Sequence, residues 1–184
     1  MPFLKQPEPT PVQNSDLPLV GIVMGSDSDW PKIAAASAVL TEFDVSHEVR
    51  VMSAHRTPRL VEEYAASAAA RGLKVLLAAA GGAAHLAGVV AAHTTLPVIG
   101  IPVPTDLAGG LDSLLSMVQM PGDVPVATVG CGMGGPRNAG LLAIQILALS
   151  DGAVHERLAQ FKRQLVEKVV AKDAALQKMI AGQS

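Results

Sequence analysis

Short apolar runs alternate with stretches of helical periodicity along nearly the whole chain, and this alternation limits the fold more than any other feature. Five runs read as strands: Leu19–Met24, Val45–Met52, Val75–Ala80, Val98–Val103 and Pro125–Val129. Between and after them lie segments with apolar residues three and four apart: Asp29–Phe43, Thr57–Arg71, Gly82–His93, Leu111–Met120 and Pro136–Leu149. In the first helix Ile33, Ala34, Val39, Leu40 and Phe43 are the expected inward residues. Thr57-Pro58 supplies a cap residue followed by proline at the first helical position, and Gly72 marks a stop. Short strands separated by helices predict a parallel sheet covered on both faces. The right-handed crossover rule then selects a doubly wound α/β sandwich.

The last helix spans roughly Ala153–Ile180 and aligns Val154, Leu158, Phe161, Leu165, Val169, Leu176 and Ile180 near one stripe. Before the first strand, Pro2, Pro7, Pro9, Pro11 and Pro18 space out an extended segment. The expected organisation is a flexible tail over 1–18, an α/β domain over 19–151 and a helical extension over 152–184.

Val75–Ala92 is almost wholly apolar and nearly long enough to span a bilayer. Its alanine content, the Gly81-Gly82 pair and His85 near its middle favour a strand running into a buried helix. No basic region followed by an apolar stretch opens the chain, so no secretory signal is expected. Cys131 is the only cysteine, which excludes an intrachain disulfide and suits a reducing, cytoplasmic compartment. The formal net charge is -2, so nothing advertises nucleic acid or an anionic membrane surface.

Sites in doubly wound sheets gather at the carboxyl ends of strands. Three polar segments stand there. Gly25-Ser26-Asp27-Ser28-Asp29-Trp30 joins the first strand to a helix start, where amides and hydroxyls can hold a phosphate and Asp29 can accept from sugar hydroxyls. Its glycine spacing fits neither a Walker loop nor a dinucleotide fingerprint, and plain helix capping is its bland alternative. Ser53-Ala54-His55-Arg56-Thr57-Pro58 follows the second strand, with Arg56 as a planar cation for phosphate oxygens and His55 as a proton carrier. Ala80-Gly81-Gly82-Ala83-Ala84-His85 follows the third, where glycines permit close backbone approach. His85 reads by default as a hydrogen-bonded core histidine.

Other chemistries find little support. His47, His55, His85 and His93 lack a metal-ligand spacing, and Cys131 has no thiol partner. A nucleophile elbow is missing. The glycine-rich run 130–135 is an ordinary flexible connection before Pro136, and Cys131 has no activating base beside it in sequence.

Taken in order, Gly25–Trp30, Ser53–Pro58, Gly81-Gly82-Ala83-Ala84-His85-Leu86 and Asp112-Ser-Leu-Leu-Ser-Met-Val-Gln-Met-Pro121 resemble the N5-carboxyaminoimidazole ribonucleotide mutase family, over about Leu19 to Asp151. The resemblance implies a flavodoxin-like three-layer αβα sandwich assembled as a homo-octamer, acting on a small ribonucleotide. It implies isomerisation of N5-carboxyaminoimidazole ribonucleotide to 4-carboxy-5-aminoimidazole ribonucleotide in purine biosynthesis, with no metal or other cofactor. By matching positions, Ser26, Asp29 and Arg56 would bind the ribose phosphate, with Ser28 and Ser53 nearby, and His55 would be the general acid and base. A direct carboxylase of aminoimidazole ribonucleotide and a non-catalytic nucleotide-binding protein of flavodoxin type are the competing readings. Ala79 and Ala87 stand where the family pattern has Gly and Pro, and Pro136-Arg137 precede Asn138 unusually.

Overall fold

The computed structural model describes residues 17–182; the tail expected over 1–18 therefore lies, up to residue 16, outside the described residues. The chain divides into two compact units, one ending at Ile144 and one beginning at Gln145.

In the first unit, β1 (Val20–Met24), β2 (His47–Val51), β3 (Val75–Ala80), β4 (Val98–Pro102) and β5 (Ala127–Thr128) form one sheet in the order β2-β1-β3-β4-β5. Every pairing is parallel. This is the flavodoxin-like order, with its switch point between β1 and β3. β1, β3 and β4 are buried along their whole length, as strands covered on both faces must be.

Side chains alternate across the sheet. Val23, Leu76, Ala78, Ala80 and Val98 share one face with α2 (Pro58–Ser67), α3 (Leu86–Ala92) and Met117 of α4 (Leu111–Val118). The other face carries Ile22, Met24, Leu77, Ala79, Ile99 and Ile101, all essentially buried. There α1 (Trp30–Glu42) packs against α5 (Gly135–Leu147), with Gly140 so close to Val39 and Ala36 that a Cβ would not fit. Gly21 in β1 serves the same purpose on the first face: the Tyr64 hydroxyl and Leu76 occupy the place where its Cβ would stand.

Several boundaries differ from the sequence expectation. A single 3-10 turn at Asp27–Asp29 precedes α1. Ala34 is only half-buried, and Ala36 and Ser37 take its inward place. α2 ends at Ser67, and turns carry the chain through Gly72 at φ 98°. α3 starts at Leu86 because Gly82 adopts φ 68° and breaks the helix before it begins. β5 keeps only two residues of its expected five.

The stretch 75–92 is β3, a glycine turn and α3. Among the described residues no helix is long and apolar enough to cross a membrane.

In the second unit, α6 (Gly152–Ala181) begins at Asp151, whose carboxylate accepts from the Ala153 and Val154 amides at 2.9 and 3.0 Å. Val154 is buried. The later members of its stripe are not: Leu165 is 39% exposed, Val169 66% and Leu176 49%.

Candidate functional site

The carboxyl ends of β1, β2, β3 and β4 surround a cavity of about 300 Å³. Each strand delivers its own polar segment to it, which is where an open α/β sheet places ligands.

After β1, Gly25, Ser26 and Asp29 line the cavity. Ser26 is also a cap: its Oγ accepts from the Ser28 amide at 3.3 Å and lies 2.8 Å from the Ser28 hydroxyl. Ser28 itself is exposed and stands outside the lining. Asp29 occupies the cap position of α1, yet its carboxylate makes no capping bond there. The carboxylate faces a cavity instead of its own helix. Burial raises its pKa, while the Lys32 ammonium, the Ser26 backbone and the Arg56 guanidinium pull it back.

After β2, Ser53, Ala54, His55 and Arg56 line the cavity. The Arg56 guanidinium donates from Nη2 to the Gly25 carbonyl at 2.7 Å and from Nε to Ser53 Oγ at 3.4 Å. These contacts use two of the five N–H donors of a guanidinium and tie the β1 and β2 loops together. Thr57 is the cap residue of α2 with Pro58 at the first helical position, as expected, but its side chain makes no capping bond. Its hydroxyl donates to the Ser53 carbonyl and accepts from the Ser53 amide, closing the loop that carries His55.

The turn after β3 brings in His85. It is an exposed residue with its Nδ1 2.8 Å from His55 Nε2, so the reading of it as a core histidine is corrected. The two rings meet edge to face, 4.9 Å between centroids. Facing nitrogens at this distance share one proton, one ring donating and the other accepting.

The glycine turn is held from the far side of the cavity. Ser113 Oγ accepts from the Gly82 amide at 3.0 Å and donates to the Val103 carbonyl at 2.7 Å. Ser116 Oγ donates to the Gly82 carbonyl at 3.1 Å. Asp112 accepts from the Thr105 hydroxyl at 2.6 Å and from the Ser113 amide at 2.9 Å. The Thr105 bond is the main reason its carboxyl sits below the usual range. The segment 112–121 thus fixes loops on β3 and β4.

Of the residues singled out in the sequence, the fold gathers Ser26, Asp29, Ser53, His55 and Arg56 around one cavity, with Ser28 beside it. His85 and Lys32 were missed. Lys32 lines the cavity and His85 stands behind it on His55, through contacts 72 and 30 residues away in sequence that local patterning does not register. Cys131 donates to the Gly109 carbonyl at 3.3 Å, and burial and then Asp112 raise its thiol pKa, against a nucleophilic role. Among the described residues no group of three His, Cys, Asp or Glu side chains comes together as a metal site.

Residues 19–168 match the family model described as AIR carboxylase. The N5-carboxyaminoimidazole ribonucleotide mutase of Mycobacterium tuberculosis is 57% identical over 162 residues, covering 88% of this chain and 92% of that protein. The mutase of Bacillus subtilis is 53% identical over 153 residues, covering 83% and 94%. The crystal structure of Treponema denticola PurE is similar with a TM-score of 0.76 at 29% identity, covering 86% of this chain and 98% of that one.

Proposed function

The chain belongs to the AIR carboxylase family, and we propose that its strand-end cavity converts N5-carboxyaminoimidazole ribonucleotide into 4-carboxy-5-aminoimidazole ribonucleotide. The enzyme is an isomerase of purine biosynthesis, a mutase like the relatives described above. The observation that carries a chemical role for the cavity is the histidine pair, His55 from the loop after β2 and His85 from the loop after β3, with the Arg56 cation next to His55.

In this reading Arg56, Ser26 and Asp29 hold the ribose phosphate portion, with Ser53 positioning Arg56 and Ser28 supporting Ser26. His55 gives a proton to the carbamate nitrogen. The carbon–nitrogen bond breaks, and the carboxylate leaves as carbon dioxide, held in the cavity beside aminoimidazole ribonucleotide. The ring carbon attacks that carbon dioxide. His55 then takes the proton from the same carbon, and the ring recovers its aromaticity. One proton is given and one returned, so the balance closes without a cofactor. His85 offers the proton a second seat 2.8 Å away. The small apolar wall of Ala54, Ala80 and Ala83 keeps water from competing for carbon dioxide.

The protein works as a cytoplasmic homo-octamer. Support comes from apolar side chains that one chain leaves in water, Val166, Val169 and Val170 on α6 and Leu111, Leu115 and Val118 on α4. The number eight comes from the family resemblance.

A coupled turnover assay tests the activity. The N5-carboxylated ribonucleotide is expected to be converted without nucleotide triphosphate or added metal, faster than aminoimidazole ribonucleotide with bicarbonate. Turnover of the unmodified ribonucleotide alone would make the chain a direct carboxylase.

A further inference from the structure

One cation in the cavity is unused by the strand-end motifs and by the proton-transfer scheme. Lys32 lies three residues beyond Asp29 in the first turn of α1, and it lines the cavity. Its ammonium donates to the Pro104 carbonyl at 3.2 Å. Pro104 follows β4, and β3 stands between β1 and β4 in the sheet. The side chain therefore reaches across the strand ends to make this bond. Only one of its three ammonium protons is spent there. A lysine already held by a carbonyl has given up rotamer freedom, so a later contact costs less ordering.

Charge gives the second argument. The ionic side chains lining the cavity are Asp29, Lys32 and Arg56. Without Lys32 their charges cancel, one carboxylate against one guanidinium. A cavity of zero charge is a poor host for a ribonucleotide that carries a phosphate and a carboxylate. With Lys32 the cavity is net cationic, and the phosphate dianion meets two cations of different shape, a planar fork and a compact point charge.

The choice of anionic group follows from position. The reacting carboxylate has to sit where His55 and His85 meet, beside the glycine turn after β3. Lys32 instead shares a helix start with Asp29, at the end of β1.

We propose that Lys32 is a second phosphate-binding residue, held over the cavity by the Pro104 carbonyl and acting with Arg56. This inference rests on the ribonucleotide reading given above.

The test uses the intact enzyme with Lys32→Met and Lys32→Arg. Titrate 4-carboxy-5-aminoimidazole ribonucleotide and its dephosphorylated nucleoside at low and high salt, and measure kcat and KM on the same preparations. Lys32→Met should weaken ribonucleotide binding and raise KM about 5- to 30-fold, the range for an exposed charge-assisted contact. Its kcat should stay within about twofold of wild type, as for loss of uniform binding. The salt dependence of ribonucleotide binding should become shallower, and nucleoside binding should not change. Lys32→Arg should keep most of the affinity. Equal weakening of both compounds, or a fall in kcat with KM unchanged, would show that Lys32 only pins the Pro104 loop and would overturn the assignment. Wild-type behaviour of Lys32→Met in an enzyme that does turn over would overturn it too, leaving the activity intact. A wild-type protein that neither binds nor converts the ribonucleotide would remove the functional reading, and the Lys32 assignment with it.

Discussion

Two ends of one strand use the same kinds of residue for opposite purposes. At the start of β2, His47 and Glu48 are wholly buried. Just after its end, His55 and Arg56 are exposed around a cavity. His47 has both ring nitrogens engaged, Nδ1 with the Val45 carbonyl at 3.0 Å and Nε2 with the Ser37 hydroxyl at 2.7 Å. A carbonyl only accepts, so Nδ1 carries the hydrogen; burial lowers the pKa and keeps the ring neutral, and Ser37 then donates to Nε2. Glu48 accepts from the Tyr64 hydroxyl at 2.8 Å and from Arg71 at 2.6 Å, while the Arg71 guanidinium lies 4.6 Å from the Tyr64 ring centre. Burial and then Glu48 push the Tyr64 phenol far up, so it stays a donor. Residue type does not separate structural from chemical roles on this strand. What separates them is enclosure: packed protein closes off the start of β2, and its end opens on a cavity.

The sharpest break of that comparison is His55→Asn. Turnover should fall about 10²- to 10⁴-fold, the range for losing a general acid–base group. Stability should move by no more than about 0.5 kcal/mol, as for an exposed position. Turnover, product binding and thermal unfolding on one preparation decide it, and near-wild-type turnover would remove His55 from the mechanism.

Arg71→Met tests the buried end. It leaves the Glu48 carboxylate enclosed without its cation, which should cost about 3 kcal/mol of stability. Denaturant midpoints at matched protein concentration measure the loss, with turnover per folded enzyme unchanged. A stability loss under about 1 kcal/mol would mean that Glu48 is relieved in another way.

Arg56→Ala should weaken ribonucleotide binding by about 1.5–3 kcal/mol, with Arg56→Lys recovering part of it. The dephosphorylated nucleoside should bind as before. An equal loss on both compounds would mean that Arg56 does not read phosphate.

The smallest effect concerns acid. Burial lowers the His47 pKa, so below about pH 6.5 the unfolded chain takes up a proton that the folded one refuses. Stability should therefore be full above that pH and decline as pH falls through it. His47→Gln should flatten the decline between pH 7 and 5.5 in thermal unfolding. An unchanged slope would show that other groups carry the acid response.

These contrasts also explain what the chain disclosed before its fold was known. Strand–helix alternation and Pro58 at a helix start were legible because period and backbone chemistry act within a few residues. The strand-end rule led from there to Ser26, Asp29, Ser53, His55 and Arg56. The glycine turn hid the true start of α3, because a left-handed Gly82 is invisible in an apolar run. The Glu48–Arg71 pair carries no sequence signal, since only tertiary packing closes it off. His85 looked like core and Lys32 drew no reading, because their partners lie far along the chain.

The slot over Gly21 also shapes how this sequence can drift over descent. Alanine at 21 collides with the Tyr64 hydroxyl and Leu76, so it is not open as a lone step. Trimming Tyr64 to make room strands the carboxylate of Glu48, which its hydroxyl serves. Replacing Glu48 in turn leaves Arg71 without its partner. Positions 21, 48, 64 and 71 are therefore inherited as a block, and any change to it must arrive as a combination whose intermediates are less fit than either end.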